Sequence, residues 1–273
     1  MDNPSPSKDA SVPEISKKRN AFSALMAPKP KQLKPSSGDD PNHSQHSSKS
    51  HPNDIRSGLL AYILQPTTFS SGQVITHNDH IVLIRDAFPK ATVHLLLLPR
   101  DPDKRDLHPH EAFEDLDFLM MIRTQVSDAV KLAASELSRL IGSFSIANQA
   151  RIEAMESEEP PDVLPAGRDY LKDIRVGVHA HPSMHHLHIH IISRDMHSDR
   201  LKHRKHYNSF NTEFFIPLDD YPLSPDDRKR DVRFQNNNLK EDFKCWRCGK
   251  TFGNKFQKLK EHLDEEFDAW KRE

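Results

Sequence analysis

Only two cysteines occur in the 273 residues, Cys245 and Cys248, and they form a single C-x-x-C. A disulfide-stapled scaffold needs more cysteines, more widely spaced, so this pair reads as metal ligands or a redox couple. No apolar run approaches the ~18 residues that a membrane-spanning helix requires, and none is expected. The opening "MDNPSPSKDASVPEISKKRN" lacks an apolar core, so no secretory signal is expected. An excess of one charge is also missing. With 39 Lys and Arg against 40 Asp and Glu, any binding to a polyanion must come from local patches. Apolar residues make up only 35% of the chain, so part of it is expected to have no packed core.

That part is residues 1–50, rich in Ser, Pro, Lys and His and expected to be a disordered tail. Within it "NAFSALM" sets Phe22, Leu25 and Met26 at helical spacing, a short motif for a protein partner or a chance cluster. Lys17, Lys18, Arg19, Lys29, Lys31 and Lys34 form a weak nuclear-import signal.

The folded part is expected to divide into a sheet domain over 51–225 and a small terminal domain over 226–273. "DIRSGLLAYILQP" reads as a helix capped by Asp54 and stopped by Pro66. "QVITHNDHIVLIRD" reads as two strands joined at Asn78-Asp79, and "ATVHLLLLPR" as a third strand. Leu116, Leu119, Ile122, Val126, Val130, Ala133, Leu137 and Leu140 step by three and four, predicting one long helix that ends at Gly142. Residues 146–167 read as an acidic, Pro-rich surface insertion. "DIRVGVHA" and "HLHIHIIS" add two strands, giving an α+β antiparallel sheet domain with flanking helices.

"HLHIHIIS" carries the chemistry. Alternate side chains of a strand share a face, so His186, His188 and His190 point one way and Leu187, Ile189 and Ile191 the other. Three readings fit: surface histidines on an edge strand, a metal site, or catalysis by a neutral imidazole, a good nucleophile near pH 7.

The pattern H-φ-H-φ-H-φ-φ resembles the HIT (histidine triad) family of nucleotide hydrolases and transferases. "HAHPSMHHLHIHIISRDMHSDRLKHRKHYNSFNTEFFI", "IVLIRDAFPKATVHLLLLPRD" and "CWRCGKTFGNKFQKLKEH" resemble the aprataxin branch of that family over roughly 54–273. That resemblance implies a nuclear, monomeric DNA-repair hydrolase that removes AMP from the 5′ end of DNA through a histidine–AMP intermediate. It implies His188 as nucleophile and His179 as the acid for the leaving group. His190, Ser183 and Lys90 would line the phosphates, with Asp86, Phe88 and His186 in the nucleotide pocket. Asp86 would take the ribose hydroxyls. Phe88 also reads as plain core, and His94 as structural support. Ile55 matches a position where a relative has an aromatic base wedge.

Nicked or 5′-adenylated DNA is the expected partner and AMP the product. "DRLKHRKHYNSF" interleaves cations with Tyr207 and Phe210, which suits backbone contact plus base stacking. Lys202, Arg204, His206 and Ser209, with Arg247 of the terminal domain, are the DNA-binding candidates. In that domain Cys245, Cys248 and His262 are candidate ligands for a structural zinc. No second histidine follows at finger spacing, but Glu266 stands one turn beyond His262, better phased than Asp264 or Glu265. Trp246, Phe252, Phe256, Leu259 and Phe267 would supply a small core, with folding dependent on the metal. The competing readings are a HIT hydrolase of small nucleotides and a zinc-finger DNA-binding adaptor with an inactive HIT domain.

Overall fold

The computed structural model describes residues 54–273; the tail motif and the basic import signal lie outside the described residues. Helix α1 (Leu60–Leu64) is shorter than expected. A separate 3-10 turn over Ile55–Ser57 precedes it, Gly58 lies in the intervening turn, and the helix is capped from Leu59 without a side-chain bond. Pro66 opens the next turn and ends α1, as a residue without an amide hydrogen must.

Strands β1 (Val74–His77) and β2 (Ile81–Arg85) form the expected hairpin. Asn78 closes it, its Oδ1 accepting the His80 and Ile81 N–H groups at 2.8 and 2.9 Å. β3 (His94–Pro99) follows and is buried on both faces. Helix α2 (Leu116–Ile141) is capped by Asp115, which accepts the Phe118 N–H at 3.1 Å. Leu119, Ile122, Val126, Ala133 and Leu137 are buried as predicted, whereas Leu116 and Leu140 are exposed. A helix of 3.6 residues per turn drifts against a fixed three-and-four step, so the ends of the stripe rotate outward.

β4 (Ile174–His179), β5 (Ile189–Ser193) and an unpredicted edge strand β6 (Phe215–Pro217) complete an antiparallel sheet of order β1-β2-β3-β5-β4-β6. β5 is therefore central, which removes the edge-strand reading of the histidines. Gly177 of β4 faces β6 so closely that a Cβ would lie 2.4 Å from the Ile216 carbonyl. Only glycine lets the edge strand close here. Leu187, Ile189 and Ile191 pack with α2 in one core. On the other face Ile192 packs with Phe210, Phe215 and the terminal domain. No described helix is long and apolar enough to cross a membrane.

The terminal domain comprises hairpin β7 (Phe243–Lys244) and β8 (Thr251–Gly253), then helix α4 (Phe256–Trp270). It has no core of its own. Phe243, Leu259 and Leu263 share the cluster of Ile192 and Phe215, and Trp270 is buried in the α2 core. Phe267, expected inside, is only partly buried and stacks on His197 with centroids 4.1 Å apart.

Candidate active site and metal centre

His188 lies just ahead of the ladder. β5 begins three residues later than the histidine pattern because Leu187 donates its N–H to Arg105 at 2.7 Å instead of to a neighbouring strand. The His188 ring is buried, and its Nδ1 lies 2.8 Å from the His186 carbonyl. A carbonyl only accepts, so Nδ1 carries the proton and Nε2 keeps its lone pair. Burial lowers the His188 pKa below the ordinary 6.5, and the ring is neutral at pH 7.

His190 is fixed by a relay. Lys90 donates its N–H to His94 Nδ1 at 3.2 Å, and His94 Nε2 meets His190 Nδ1 at 2.9 Å. His94 Nδ1 also lies 3.3 Å from Asp86 Oδ2. The two contacts disagree about the proton on Nδ1. A peptide N–H can only donate, and burial pushes the His94 pKa down to about 4, so the neutral, accepting Nδ1 prevails. His94 then donates from Nε2, which puts the proton of His190 on its Nε2, a buried atom without a protein partner. Asp86, His94 and His190 cluster tightly enough to ligate a cation, but the relay already occupies both His94 nitrogens and His190 Nδ1.

His179 stands against His190, centroids 4.5 Å apart, with its Nε2 also unpartnered. Burial holds its pKa well below 6.5. His186 shares the histidine face, yet its Nε2 turns to Asp106 at 3.3 Å. Asp86 Oδ1 accepts the Phe88 N–H at 2.7 Å, and Lys90 Nζ bonds the Phe88 carbonyl. Burial lowers the Lys90 pKa. Phe88 is 52% exposed, with the Arg200 guanidinium 5.8 Å from its ring centroid, so the core reading of Phe88 is overturned. Ser183 is exposed, and its carbonyl accepts from Arg56 Nε at 3.2 Å. Ile55 is also exposed.

Helix α3 (Arg204–Asn211) departs most from expectation. Tyr207 and Phe210 are 1% and 2% exposed, so neither can stack on a base. Phe210 instead lies edge-on to His94, His179 and His190, with centroids 4.6–5.3 Å away. Tyr207 Oη donates to the Lys244 carbonyl at 2.8 Å and accepts the Trp246 N–H at 3.0 Å. Arg204 is not an open cation. It bonds the Lys240 carbonyl at 2.9 Å, the Glu241 carbonyl and Asn254 Oδ1, and clamps α3 to the terminal hairpin. Arg247 is likewise engaged, pairing with Glu266 at 2.6 Å and with Glu273. Ser209 is buried at 8% exposure. Lys202 is exposed and His206 partly buried, with His206 Nδ1 accepting the Lys202 N–H at 3.2 Å. Burial pushes the His206 pKa down to about 4, leaving a neutral ring with Nε2–H as a donor.

In the terminal domain the donor atoms of Cys245, Cys248, His262 and Glu266 lie within 4.8 Å of one another. Cys248 Sγ is 3.1 Å from His262 Nε2, and that nitrogen is 3.2 Å from Glu266 Oε1. Tetrahedral zinc sets neighbouring S and N donors about 3.5 Å apart, so the set fits a closed structural site. Arg247 takes the other Glu266 oxygen and holds the carboxylate ionised, below the usual range. Glu266→Ala is expected to lower zinc content by elemental analysis, because a three-ligand site holds the ion 10-fold or more less tightly, roughly. Glu266→His is expected to retain it. Full zinc in Glu266→Ala would assign the fourth ligand elsewhere.

Several positioning residues escaped the sequence reading. Asp195, fully buried after β5, accepts from the Thr92 N–H and hydroxyl at 2.9 and 2.8 Å, and its carbonyl receives Trp246 Nε1 at 3.1 Å. Trp270 donates to Asp173 at 3.3 Å and lies 4.7 Å from the Arg168 guanidinium. Its place was readable, because Leu259, Leu263, Glu266 and Trp270 share one face of α4.

Residues 68–197 match the family model described as "HIT domain", and residues 211–269 match "C2HE / C2H2 / C2HC zinc-binding finger". The chain is 37% identical over 219 residues to an "Aprataxin-like protein" of Saccharomyces cerevisiae, covering 78% of this chain and 96% of that one. It is 38% identical over 216 residues to the "Aprataxin-like protein" of Schizosaccharomyces pombe, covering 79% and 83%. Among solved structures it is similar to "Hnt3 in complex with DNA and guanosine", with TM-score 0.63, 35% identity, and coverage of 80% and 97%. It is also similar to the "aprataxin ortholog Hnt3 in complex with DNA", with TM-score 0.62, 33% identity, and coverage of 80% and 96%.

Proposed function

The chain belongs to the aprataxin-like family of HIT-domain proteins with a zinc-binding finger, and we propose that it is a DNA 5′-adenylate hydrolase. It would remove AMP from abortively ligated ends in the nucleus, as a monomer, and leave a 5′-phosphate. The observation that carries this reading is the His188 ring: buried, neutral, and held by the His186 carbonyl so that Nε2 is the nucleophile.

In the first step Nε2 bonds to the adenylate phosphorus, the P–O bond to the DNA 5′-phosphate breaks, and that phosphate leaves. The new bond makes the ring cationic, and the His186 carbonyl, already accepting from Nδ1, favours that charge. His190 would present its unpartnered Nε2–H to a phosphate oxygen, and Lys90 a cation. His179 would protonate the leaving phosphate. Burial keeps it neutral in the free protein, and the bound diphosphate supplies the opposite charge that draws a proton onto it. Water then cleaves the P–N bond, its proton passing to His179, which has given up its own, so that AMP leaves and His188 is again neutral.

Exposed Phe88 suits a base platform, and Asp86 the ribose. Lys202 and His206 Nε2–H suit phosphate contacts. We read residues 51–225 as the HIT domain and 226–273 as a finger folded onto it. Competing a nicked 5′-AMP duplex against a dinucleoside polyphosphate tests substrate class; preference for the small nucleotide would overturn DNA as the target.

A pH dependence follows. Protonation of Nε2 stops the attack, and the His188 pKa lies below 6.5 because burial disfavours the cation. The acid limb of single-turnover AMP transfer is therefore expected below pH 6.5, with the rate still on its plateau at 7. An acid limb centred above the ordinary imidazole value would contradict the buried neutral nucleophile.

A further inference from the structure

Arg175 of β4 pairs in register with Ile192, and Gly177 with His190. Directly paired residues share a sheet face, so Arg175 leaves on the histidine side, ~7 Å along β4 from the residue opposite His190. There it enters a cavity of about 590 Å³ between β6 and the C-x-x-C hairpin, lined also by Arg194, Phe215 and Trp246. Its guanidinium donates to the Phe210 carbonyl and lies 4.9 Å from the Phe215 centroid. No carboxylate pairs with it among the described residues. The charged neighbour acting on it is another cation, Arg194, whose guanidinium lies 5.5 Å from the Trp246 centroid. Burial and Arg194 pull the Arg175 pKa down to about 10, still charged at neutral pH. The cavity's other cations are compensated, since Arg228 pairs with Glu213 and Lys229 with Asp220, each at 2.6 Å. Arg175 is partly buried and Arg194 exposed, so this end of the cavity carries two positive charges that no carboxylate among the described residues offsets, a surplus that an anion would neutralise.

We propose that Arg175 and Arg194 form an anion subsite that takes a DNA backbone phosphate at the seam between sheet and finger. This rests on DNA being the substrate. Both arginines are backed by aromatic faces and present planar forks suited to a phosphodiester, on the sheet face that carries His188. Phe210 and Phe215 are buried, so a strand whose adenylated end meets His188 would pass over the outside of α3 to reach the seam. The finger would then help to hold substrate through the wall it shares with the sheet, with no base read.

The test is the salt dependence of affinity for a nicked duplex ending in a 5′-phosphate, measured by anisotropy with wild type, R175Q and R194Q. Each substitution is expected to weaken binding several-fold near 0.1 M salt and to lower the log–log slope by about 0.9. Hydrolysis of adenosine 5′-phosphoramidate is expected to stay within twofold of wild type. Unchanged affinity and slope in both variants would overturn the subsite. Inorganic phosphate that perturbs Trp246 fluorescence in wild type but not R194Q, with DNA affinity unchanged, would mean a free-anion site and overturn the backbone assignment. R175Q alters a partly buried group; should it lose its cooperative melt, the exposed R194Q decides. AMP release from a nicked 5′-AMP duplex by wild type is scored separately. Its absence beside a clear slope change would sink the adenylate reading and leave the subsite standing.

Discussion

His188→Ala is expected to slow AMP release from a nicked 5′-adenylated duplex by at least ~10⁴-fold, with affinity for the duplex within a few-fold of wild type. The loss should be nearly complete because the neighbouring rings are committed elsewhere. His186 turns its Nε2 to Asp106 at 3.3 Å, and His190 Nδ1 accepts from His94 Nε2 at 2.9 Å. His190 cannot swing to the phosphorus without breaking a buried contact, and His186 would have to leave its pairing with Asp106. Affinity should survive because the cations proposed to meet the DNA lie on other elements. Single-turnover AMP release and anisotropy, run on the same preparation, measure the two quantities. A His188→Ala protein retaining a tenth of wild-type turnover would remove the ring from the nucleophile's role.

Trp270→Ala is expected to destabilise the whole folded unit by about 3–5 kcal/mol, the usual cost of emptying a large buried aromatic site. The Trp270 ring is 1% exposed within the α2 core, on the far side of the sheet from the histidines. Its Nε1–H reaches Asp173 at 3.3 Å, and Asp173 is itself paired to Arg168 at 2.9 Å. Arg168 also donates to the Trp270 carbonyl at 2.6 Å. Cutting the ring away leaves a cavity and a buried ion pair short of one donor. Finger and sheet share their cores, so one cooperative melting transition should shift down by roughly 10 °C, sheet and finger together. A calorimetric trace with an unmoved sheet transition and a separate, loosened finger would show that the two parts fold independently.

Much of this was legible in the sequence. Alternation through Leu187, Ile189 and Ile191 identified the face of β5 that packs on α2, and the three-and-four stripe identified α2. C-x-x-C, His262 and Glu266 predicted the set that the fold brings together, because ligands on one hairpin and one helical face are local information. What failed was long-range. Tyr207 and Phe210 looked like stacking groups between cations, but an aromatic at an eight-residue helix cannot be told from core until its partner surface is known. That surface is the finger hairpin and the histidine rings. For Arg204 and Arg247 the sequence shows a charge and not its partner: Asn254 lies 50 residues from Arg204 and Glu266 19 from Arg247, and each pair meets only through the fold. Edge strand β6 has three residues, too few for a periodic signal.

Transfer of the adenylate to His188 is the central claim, and a rapid-quench single turnover of a nicked duplex labelled in its 5′-AMP tests it most directly. The label is expected to pass transiently onto the protein at His188, located by peptide mass spectrometry, and then to appear as free AMP beside a 5′-phosphate end. Recovery of the duplex with its AMP intact would contradict the account, as would label trapped on His179, whose Nε2 is also unpartnered.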